Sequence, residues 1–331
     1  MRRALVALVG FAALAACSSA HRVPLGRAGA TTTTTVAPAG AMPTTELSLP
    51  PVATIPPPAG TARVARLLLS STGVVVPVLV AGPSGWQVHT PCGHEVTLTR
   101  GTPVGPVTVV LDPGHGGTER GAIGPNGLAE ADLNLDVARR TEVALARAGV
   151  TAVLTRDGDY GMPLTTRAEI ALAARPRAFL SLHHNSDPDG PRDSPGTETY
   201  YQVASAASKR LAGLVYEEVV RALGRNQVAW VADRDAGAKY RLNGRGGDYY
   251  GVLRRTVGVP AVIVESAFLS NGPEAELLAR SDVREVEADA IARGVVRFLT
   301  TRDPGSGFVT PYPRREPTVG GGAEGCVDPP L

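Results

Sequence analysis

The chain has 331 residues, of which 43% are hydrophobic and 19% are charged, and its formal net charge is +2. This composition is typical of a folded protein with a sizeable core and excludes a disordered chain. The small net charge and the lack of Lys/Arg blocks interleaved with aromatic residues exclude nucleic acid as a partner.

The first residues are typical of an export signal. Arg2 and Arg3 precede an apolar run at residues 4–16, which is shorter than the ~20 residues needed to span a bilayer. The run ends in LAAC, which resembles the lipobox of bacterial lipoproteins, in which the cysteine carries lipid and becomes the mature N-terminus. The sequence therefore predicts a signal peptide at residues 1–17 and a membrane anchor through lipid on Cys17. The alternative is an ordinary secretory peptide with an incidental cysteine, and either way we expect the chain to work outside the cytoplasm.

Residues 18–60 are predicted to form a disordered linker, because they are rich in Ala, Thr, Pro and Gly and contain no periodic apolar pattern. Residues 61–106 hold short β-rich runs separated by Gly, Pro and Ser turns, which predict a small β-rich subdomain. This subdomain is either a ligand-binding module or a cover for the edge of the main domain. The lack of a cluster of aromatic residues favours the cover.

Residues 107–301 alternate apolar runs with helical periods. Strands are predicted at VTVVLD, TAVLTR, AFLSLHHN, GTETYYQ and AVIVESAFLSN, and helices at residues 131–148, 164–172, 204–223 and 283–299. The pattern predicts an α/β domain, in which a mostly parallel twisted sheet carries helices on both faces and active chemistry lies at the carboxyl ends of the strands. Residues 302–331 are predicted to be an irregular tail.

The cysteines predict one disulfide. Once Cys17 is set aside, Cys92 and Cys326 remain as an even pair in a chain expected to work where disulfides persist. We predict that they are bonded, so that the bond pins the tail.

Several predicted strands end in residues that carry chemistry. VVLDPGHGG leads to His115, FLSLHHN contains His183 and His184, VIVESAF contains Glu265, and Glu130 lies at the start of the helix after the first turn. Two histidines and a carboxylate with a fourth position left to water form the ligand set of a catalytic zinc site. No HExxH helix is present, so the familiar metalloprotease arrangement is excluded.

Each of these residues also has a structural explanation when taken alone. A single glutamate such as Glu265 at a strand end is most often a surface or salt-bridged group, and Glu130 lies where a helix start favours carboxylates. His115 in DPGHGG is as compatible with a simple turn as with a ligand. Only the set favours a catalytic site.

Five motifs, LDPGHGG, EADLNL, TRDGDYGMPLTTRAEIA, FLSLHHNSD and VIVESAFLSN, occur in this order and resemble those of the zinc-dependent N-acetylmuramoyl-L-alanine amidases of the type 3 family, which cut bacterial peptidoglycan. The resemblance covers about residues 107–299. It implies that His115, Glu130 and His183 are the zinc ligands and Glu265 is the catalytic glutamate. It further implies that a zinc-activated water cuts the amide between the lactyl group of N-acetylmuramic acid and L-alanine, with the glutamate as base and then acid.

Some positions depart from or extend the family pattern. The family usually has a small residue where this chain has His184, and Leu172 stands where an asparagine is expected. Arg167 matches a family arginine and would form either an ion pair or a substrate contact. Asp112 also matches, and we expect it to orient the turn or His115.

Adjacent histidines raise the question of which one faces the metal. Side chains alternate along a strand, so His183 and His184 point to opposite faces, and we favour His183 as the ligand. His89 and His94 flank Cys92 and raise the alternative of a second metal site, but their spacing matches no familiar metal-site pattern.

Some members of this family carry an inserted helix that blocks the zinc. Residues 185–265 hold no spare amphipathic helix, so we predict no resident autoinhibitory helix. The loop with Arg241, Asn243 and Arg245 is expected to border the substrate cleft.

We expect a monomer acting on peptidoglycan; the alternatives are a zinc peptidase acting within the stem peptide and a non-catalytic wall-binding lipoprotein.

Overall fold

The computed structural model describes residues 66–313 and 325–331. The predicted signal peptide with Cys17, the predicted linker and the first residues of the β-rich segment lie outside the described residues, so these interpretations stay predictions. Within the described part of the chain, no helix has the length and apolar character that crossing a membrane requires.

The β-rich segment forms a five-stranded antiparallel sheet, in agreement with the prediction of a small N-terminal β-rich part. Its strands lie in the spatial order β4-β3-β2-β1-β5. They are β1 (Leu67–Leu69), β2 (Val75–Gly82), β3 (Gly85–His89), β4 (Glu95–Leu98) and β5 (Thr102–Pro103). The buried side chains of Leu68, Val76 and Val88 form the inner face of this sheet.

A six-stranded sheet forms the centre of the molecule, in the order β12-β10-β13-β8-β6-β7. Its strands are β6 (Val109–Pro113), β7 (Ala152–Leu154), β8 (Ala178–Asn185), β10 (Glu198–Tyr201), β12 (Ala238–Lys239) and β13 (Ala261–Phe268), and a separate two-stranded ribbon joins β9 (Gly190–Arg192) to β11 (Trp230–Ala232). Strands β13, β8, β6 and β7 are parallel, whereas β10 pairs antiparallel with β13.

Helices cover both faces of the six-stranded sheet. They are α1 (Glu130–Arg147), α2 (Leu164–Ala174), α3 (Ala206–Leu223), α4 (Gly251–Arg255), α5 (Gly272–Leu278) and α6 (Ser281–Thr300). Helices α1, α3 and α6 pack together on one face, and α2 and α4 pack on the other, where the five-stranded sheet lies against α2. The arrangement confirms the predicted α/β class with a mostly parallel sheet and helices on both faces.

Both faces of the central strands are buried, and side-chain alternation assigns each residue to one of the two cores. In β6, Val109 and Leu111 pack in the core with α1, α3 and α6, whereas Val110 packs in the core with α2 and α4. A strand buried on both faces reads as a continuous apolar run, as VTVVL does. The same parity decides which functional side chains meet at the end of the sheet.

The predicted disulfide is present, since Cys92 and Cys326 are bonded. The Asp328 carboxylate accepts hydrogen bonds from the Cys92 backbone N–H at 2.7 Å and from the Thr90 hydroxyl at 2.8 Å. Leu331 packs against the same core as the five-stranded sheet. The last residues of the chain are therefore docked on this sheet, although 325–331 contain no helix or strand.

Candidate active site

The turn after β6 carries His115 in an unusual backbone conformation. Its φ is 63°, in the left-handed region that costs energy for a residue with a side chain. The buried Arg167 guanidinium stabilises this turn by donating to the carbonyl oxygens of Pro113 and His115, each at 2.7 Å. This backbone conformation places the imidazole over the end of the sheet.

Gly114 is required because the His183 ring lies directly above it. A Cβ at position 114 would lie 2.1 Å from His183 Cε1, far inside any allowed contact. The Gly114 N–H donates to the Leu182 carbonyl at 2.9 Å, which holds the turn beside the end of β8. The glycine in the DPGHGG motif thus makes room for the second imidazole.

Strand register brings Glu265 to the same place. Glu265 in β13 is the direct neighbour of His183 in the parallel strand β8, and Glu198 in β10 is the neighbour of Glu265 on its other side. The pairing of β8 and β13 shifts register after Glu265, as at a β-bulge. The residues therefore form a row along the carboxyl end of the parallel strands, on the face that carries α2 and α4.

Glu130, at the start of α1, completes a cluster with the two histidines. Glu130 Oε2 lies 3.1 Å from His115 Nε2, and Glu130 Oε1 lies 3.0 Å from His183 Nδ1. Among the described residues, this is one of two groups whose possible metal-ligand atoms all lie within 4.8 Å of one another. Three ligands of a tetrahedral zinc with bonds of ~2.0–2.1 Å would be about 3.3 Å apart, so the donor types and their spacing fit such an ion.

Three further donors fix the Glu130 carboxylate. The Ala122 N–H donates to Oε2 at 2.9 Å, and the His184 backbone N–H donates to Oε1 at 3.2 Å. The Asn134 amide, one turn along α1, donates to Oε1 at 3.3 Å. The carboxylate is thus oriented by groups other than the two histidines.

The pKa values of His115, His183 and Glu130 are all shifted from their ordinary values. Burial opposes charge on His115, but hydrogen bonds and charge from Glu119 and Glu130 outweigh it and raise the pKa of His115 to about 9. Burial lowers the pKa of His183. Burial also acts against ionisation of Glu130, but the hydrogen bonds from both histidines hold its pKa well below the usual range. Glu130 is therefore the ionised carboxylate of the cluster.

The pKa of Glu265 is shifted in the opposite direction from that of Glu130. Its burial, followed by the charges of Glu130 and Glu198, raises its pKa well above the ordinary value. Its Oε2 atom is buried and has no hydrogen-bond partner among residues 66–313 and 325–331. A buried carboxylate of raised pKa with an uncommitted oxygen has the properties of a general acid and base.

A cleft of about 260 Å³ opens beside these residues on the face of α2 and α4. His115 and His183 line it, and both side chains are 21% exposed. Its other walls combine polar and apolar side chains, namely Asp112, Glu119, Met162, Leu164, Arg167, Ser181, Tyr250, Val252 and Ile263. A small part of a larger substrate could enter this cleft.

Arg167 and Asp112 form a buried ion pair beneath the turn, at 2.7 Å. Thr155 and Ser181 also donate to the Asp112 carboxylate, at 2.6 Å and 2.7 Å. Burial alone would raise the pKa of Asp112, but these partners, led by the Arg167 charge, hold it below the ordinary value. The ion-pair alternative for Arg167 is therefore present in the structure, and Asp112 supports the turn through it.

His89 and His94 each lie close to a carboxylate in the part of the chain that the structure describes. His89 Nδ1 lies 2.7 Å from Glu169, and His94 Nδ1 lies 2.7 Å from Asp328. Within the described ranges, the two histidines do not belong to a group of possible metal ligands. Each is instead half of a separate histidine–carboxylate pair.

A second buried polar cluster, not predicted from the sequence, lies beside Glu265. Glu198, Asp233 and Asp235 are the other group of close carboxylates, and the Lys239 ammonium lies 2.5 Å from Glu198 and 2.7 Å from Asp235. The lysine supplies a positive charge to this cluster. The only sequence signal was a set of charged residues within apolar strands.

The other positions noted in the sequence do not belong to the cluster of His115, Glu130 and His183. Leu172 is 41% exposed on α2. Of the loop expected to border the cleft, Arg241, Asn243 and Arg245 are not among the lining residues, whereas Tyr250 just beyond them is. Asn243 instead closes its own turn by accepting from the backbone N–H of Arg245 at 2.8 Å.

The α/β domain brings two histidines and two glutamates together at one edge of its sheet, a set of donors that a hydrolytic metal site can use, and sequence comparison identifies the family. The family described as N-acetylmuramoyl-L-alanine amidase (Amidase_3) matches residues 109–297, more than half of the chain. The chain belongs to this family.

Individual relatives support the same conclusion. The chain is 36% identical over 199 residues to the N-acetylmuramoyl-L-alanine amidase LytC of Bacillus subtilis, covering 59% of this chain and 36% of LytC. It is 32% identical over 216 residues to the uncharacterized protein YqiI of the same organism, covering 63% of this chain and 95% of YqiI. The chain thus spans about a third of the length of LytC and nearly all of YqiI.

The solved structure of an amidase is also similar to this chain. The N-acetylmuramoyl-L-alanine amidase AmiC2 of Nostoc punctiforme superposes with a TM-score of 0.50 at 33% sequence identity, covering 59% of this chain and 98% of AmiC2. The likeness agrees with the α/β fold of the central domain.

Proposed function

We propose that this protein is a zinc-dependent N-acetylmuramoyl-L-alanine amidase that hydrolyses the amide between the lactyl group of N-acetylmuramic acid and L-alanine in peptidoglycan. The single observation that carries the proposal is the uncommitted Glu265 carboxylate beside the cluster of His115, Glu130 and His183. Membership of the amidase family supports the substrate class.

His115, Glu130 and His183 would hold the metal ion. Two imidazoles and a carboxylate suit zinc, and a site with three protein ligands leaves a position for water or substrate. A zinc ion bound there supplies a lowered pKa for water and polarises a carbonyl group. The Asn134 amide and the Ala122 and His184 backbone N–H groups keep the Glu130 carboxylate in the orientation that binding needs.

Glu265 moves the proton in this reaction. Its carboxylate takes a proton from the attacking water and returns it to the nitrogen of L-alanine as the C–N bond breaks. The water oxygen becomes part of the lactyl carboxylate, and the stem peptide leaves with a free amine. No covalent enzyme intermediate is required, and no nucleophilic serine or cysteine is needed.

The cellular setting follows from the N-terminal sequence. We infer that the protein is exported and anchored to the cell membrane through lipid on Cys17, facing the cell wall, and that it acts as a monomer. The Ala/Thr/Pro-rich segment at residues 18–60 would separate the catalytic domain from the membrane by several nanometres, at ~3 Å per residue where it is extended.

Mass spectrometry of digested muropeptides tests the proposal. Purified protein, analysed for zinc, is incubated with muropeptides that carry stem peptides, with and without prior chelation. We expect one zinc ion per chain and release of intact stem peptides that begin with L-alanine. Cleavage inside the stem peptide would instead identify a peptidase, and zinc-loaded protein that binds but does not cut would identify a wall-binding protein.

A further inference from the structure

His184 and Glu287 are two close polar side chains in the core on the opposite face of the sheet from the cleft. His184 Nε2 lies 3.1 Å from Glu287 Oε1, and the two side chains are 1% and 0% exposed. Glu287 belongs to α6, and neither its carboxylate oxygens nor His184 Nε2 has a hydrogen-bond partner among the described residues, so the two side chains are close without a hydrogen bond between them. A buried carboxylate is costly without a partner, so this pair calls for an explanation.

The other nitrogen of His184 contacts Asn134. His184 Nδ1 lies 2.9 Å from Asn134 Oδ1. The Asn134 NH2 group lies 3.3 Å from both Glu130 Oε1 and the Gly114 carbonyl oxygen, which are acceptors only. The amide oxygen must therefore face His184, and His184 Nδ1 must be the donor.

The contact with His184 adds to the two acceptor contacts that orient the Asn134 amide. If the amide turned over, its oxygen would face the Glu130 carboxylate and the Gly114 carbonyl, and its NH2 group would face the His184 N–H. Each contact would then join two acceptors or two donors. His184 Nδ1, as a donor, is thus a third contact that favours the amide orientation that donates to Glu130.

We propose that His184, packed against Glu287, is a positioning residue that supports the Glu130 carboxylate for metal binding through the Asn134 amide. The inference rests on the proposed function, because it treats Glu130 as a metal ligand. Groups that orient metal ligands from behind typically change metal affinity by 10–100-fold when they are removed. It also gives a role to the histidine that stands where a small residue is usual in the family.

Two substitutions of His184 separate its two contacts. His184→Asn places an amide near the position of Nδ1 and can still donate to Asn134, so it is combined with Glu287→Gln to avoid a stranded carboxylate. His184→Gln places an amide near the position of Nε2 and can still reach Glu287, but gives up the contact with Asn134. Val295→Ala, a buried apolar change on the same helix as Glu287, is the control for a general loss of stability.

Zinc affinity of the full chain, measured by competition with a chromophoric chelator, tests the proposal alongside thermal unfolding. We expect His184→Gln to bind zinc 10–100-fold more weakly than the wild type. We expect the His184→Asn/Glu287→Gln double variant to stay within about threefold and Val295→Ala to lower Tm without changing zinc affinity. If His184→Gln does not fold, His184→Ala/Glu287→Leu, which removes both polar groups together, carries the same expectation as His184→Gln.

The outcomes distinguish this inference from the proposed function. Wild-type zinc binding with unchanged affinity in the folded His184→Gln variant would overturn the positioning role alone. An equal loss of affinity in both His184 variants would also overturn it, because the Asn134 contact would then be irrelevant. A wild-type chain that binds no zinc would overturn the metal site and this inference together, whereas zinc binding without amidase activity would overturn only the proposed reaction.

Discussion

At the scale of single residues, the site separates two carboxylates by their surroundings. Glu130 is surrounded by two imidazoles and three further donors, and its pKa lies well below the ordinary value. Glu265 is buried beside other carboxylates, and its pKa lies well above the ordinary value. In the proposed reaction, the ionised carboxylate would bind the metal and the other would transfer the proton.

Glu265→Gln should lower kcat for muropeptide cleavage by about 10²–10⁴-fold, because an amide cannot carry the proton from water to the leaving amine. Zinc content should stay at the wild-type level, since the three proposed ligands are unchanged. Steady-state kinetics and metal analysis measure the two quantities. Glu142→Gln, which alters a carboxylate outside the cleft, is the control, and wild-type turnover by Glu265→Gln would show that the base lies elsewhere.

Asp112 predicts a component of acid unfolding. Its pKa is lower in the folded protein than its ordinary value of 3.8, so its contribution to stability is present above that value and is lost as the pH falls through the folded pKa. Asp112→Asn should lower the free energy of unfolding at pH 7 by about 3 kcal/mol, because it leaves the buried Arg167 charge uncompensated.

Denaturant unfolding of the metal-free protein between pH 7 and pH 3 measures this component. The wild type should lose more stability below about pH 4 than Asp112→Asn does. If the free energies of unfolding of the two proteins coincide at every pH, the Asp112–Arg167 pair does not support the fold.

At the scale of elements, the long periodic segments and the clear apolar runs could be predicted from the sequence, whereas several short elements could not. Helix α1 begins at Glu130 and α6 spans Ser281–Thr300, each within two residues of the predicted bounds. The unpredicted elements β5, β9, β11, β12, α4 and α5 have two to seven residues, too few for an apolar period to show. The reversal of β10 also escaped prediction, because direction is set by the chain path and leaves no local pattern.

The same distinction holds for the site. His115, Glu130, His183 and Glu265 could be selected because each lies at the end of a predictable strand or the start of a predictable helix. Strand alternation also placed His184 on the opposite face from His183. The contact of His184 with Glu287 joins β8 to a helix about a hundred residues later, and nothing local in either segment encodes that pairing.

Gly294 provides a test of the packing between α3 and α6. A Cβ at Gly294 would lie 2.7 Å from the Val215 Cα and 3.1 Å from the Leu214 carbonyl oxygen, so the two helix backbones would have to separate. Gly294→Ala should therefore lower the free energy of unfolding by about 1–3 kcal/mol despite the better helix propensity of alanine. Gly272→Ala, at the start of α5 with open space around it, is the matched control. A gain in stability for Gly294→Ala would contradict the close packing.

At the scale of the whole molecule, the β-rich sheet and the end of the chain support the region beside the active-site turn. Cys326 Sγ lies 3.3 Å from the Gly161 carbonyl oxygen, and Asp159 accepts from the Gly117 N–H at 2.7 Å. The bond between Cys92 and Cys326 therefore fixes the chain end to the β-rich sheet beside the loop that contacts the His115 turn. This sheet packs against α2, and the role of residues 61–106 as a cover for the edge of the main domain stays a prediction.

The double substitution Cys92→Ser/Cys326→Ser should lower the free energy of unfolding by about 2–4 kcal/mol, because the bond closes a long loop and restricts the unfolded chain. Differential scanning calorimetry of the variant and of the reduced wild type measures the loss. The two should unfold at similar temperatures below that of the oxidised protein. Equal unfolding temperatures for all three would show that the bond adds no stability.

The most direct test of zinc-dependent hydrolysis of the lactyl amide follows the oxygen atom of water. Wild-type protein without any added activator is incubated with zinc and a stem-peptide-bearing muropeptide in H₂¹⁸O, and the products are analysed by mass spectrometry. We expect one ¹⁸O in the lactyl carboxylate of the released N-acetylmuramic acid fragment and none in the stem peptide, with loss of the reaction after chelation. Label in a carboxylate of the stem peptide, or equal labelling of the lactyl group after chelation, would contradict this expectation.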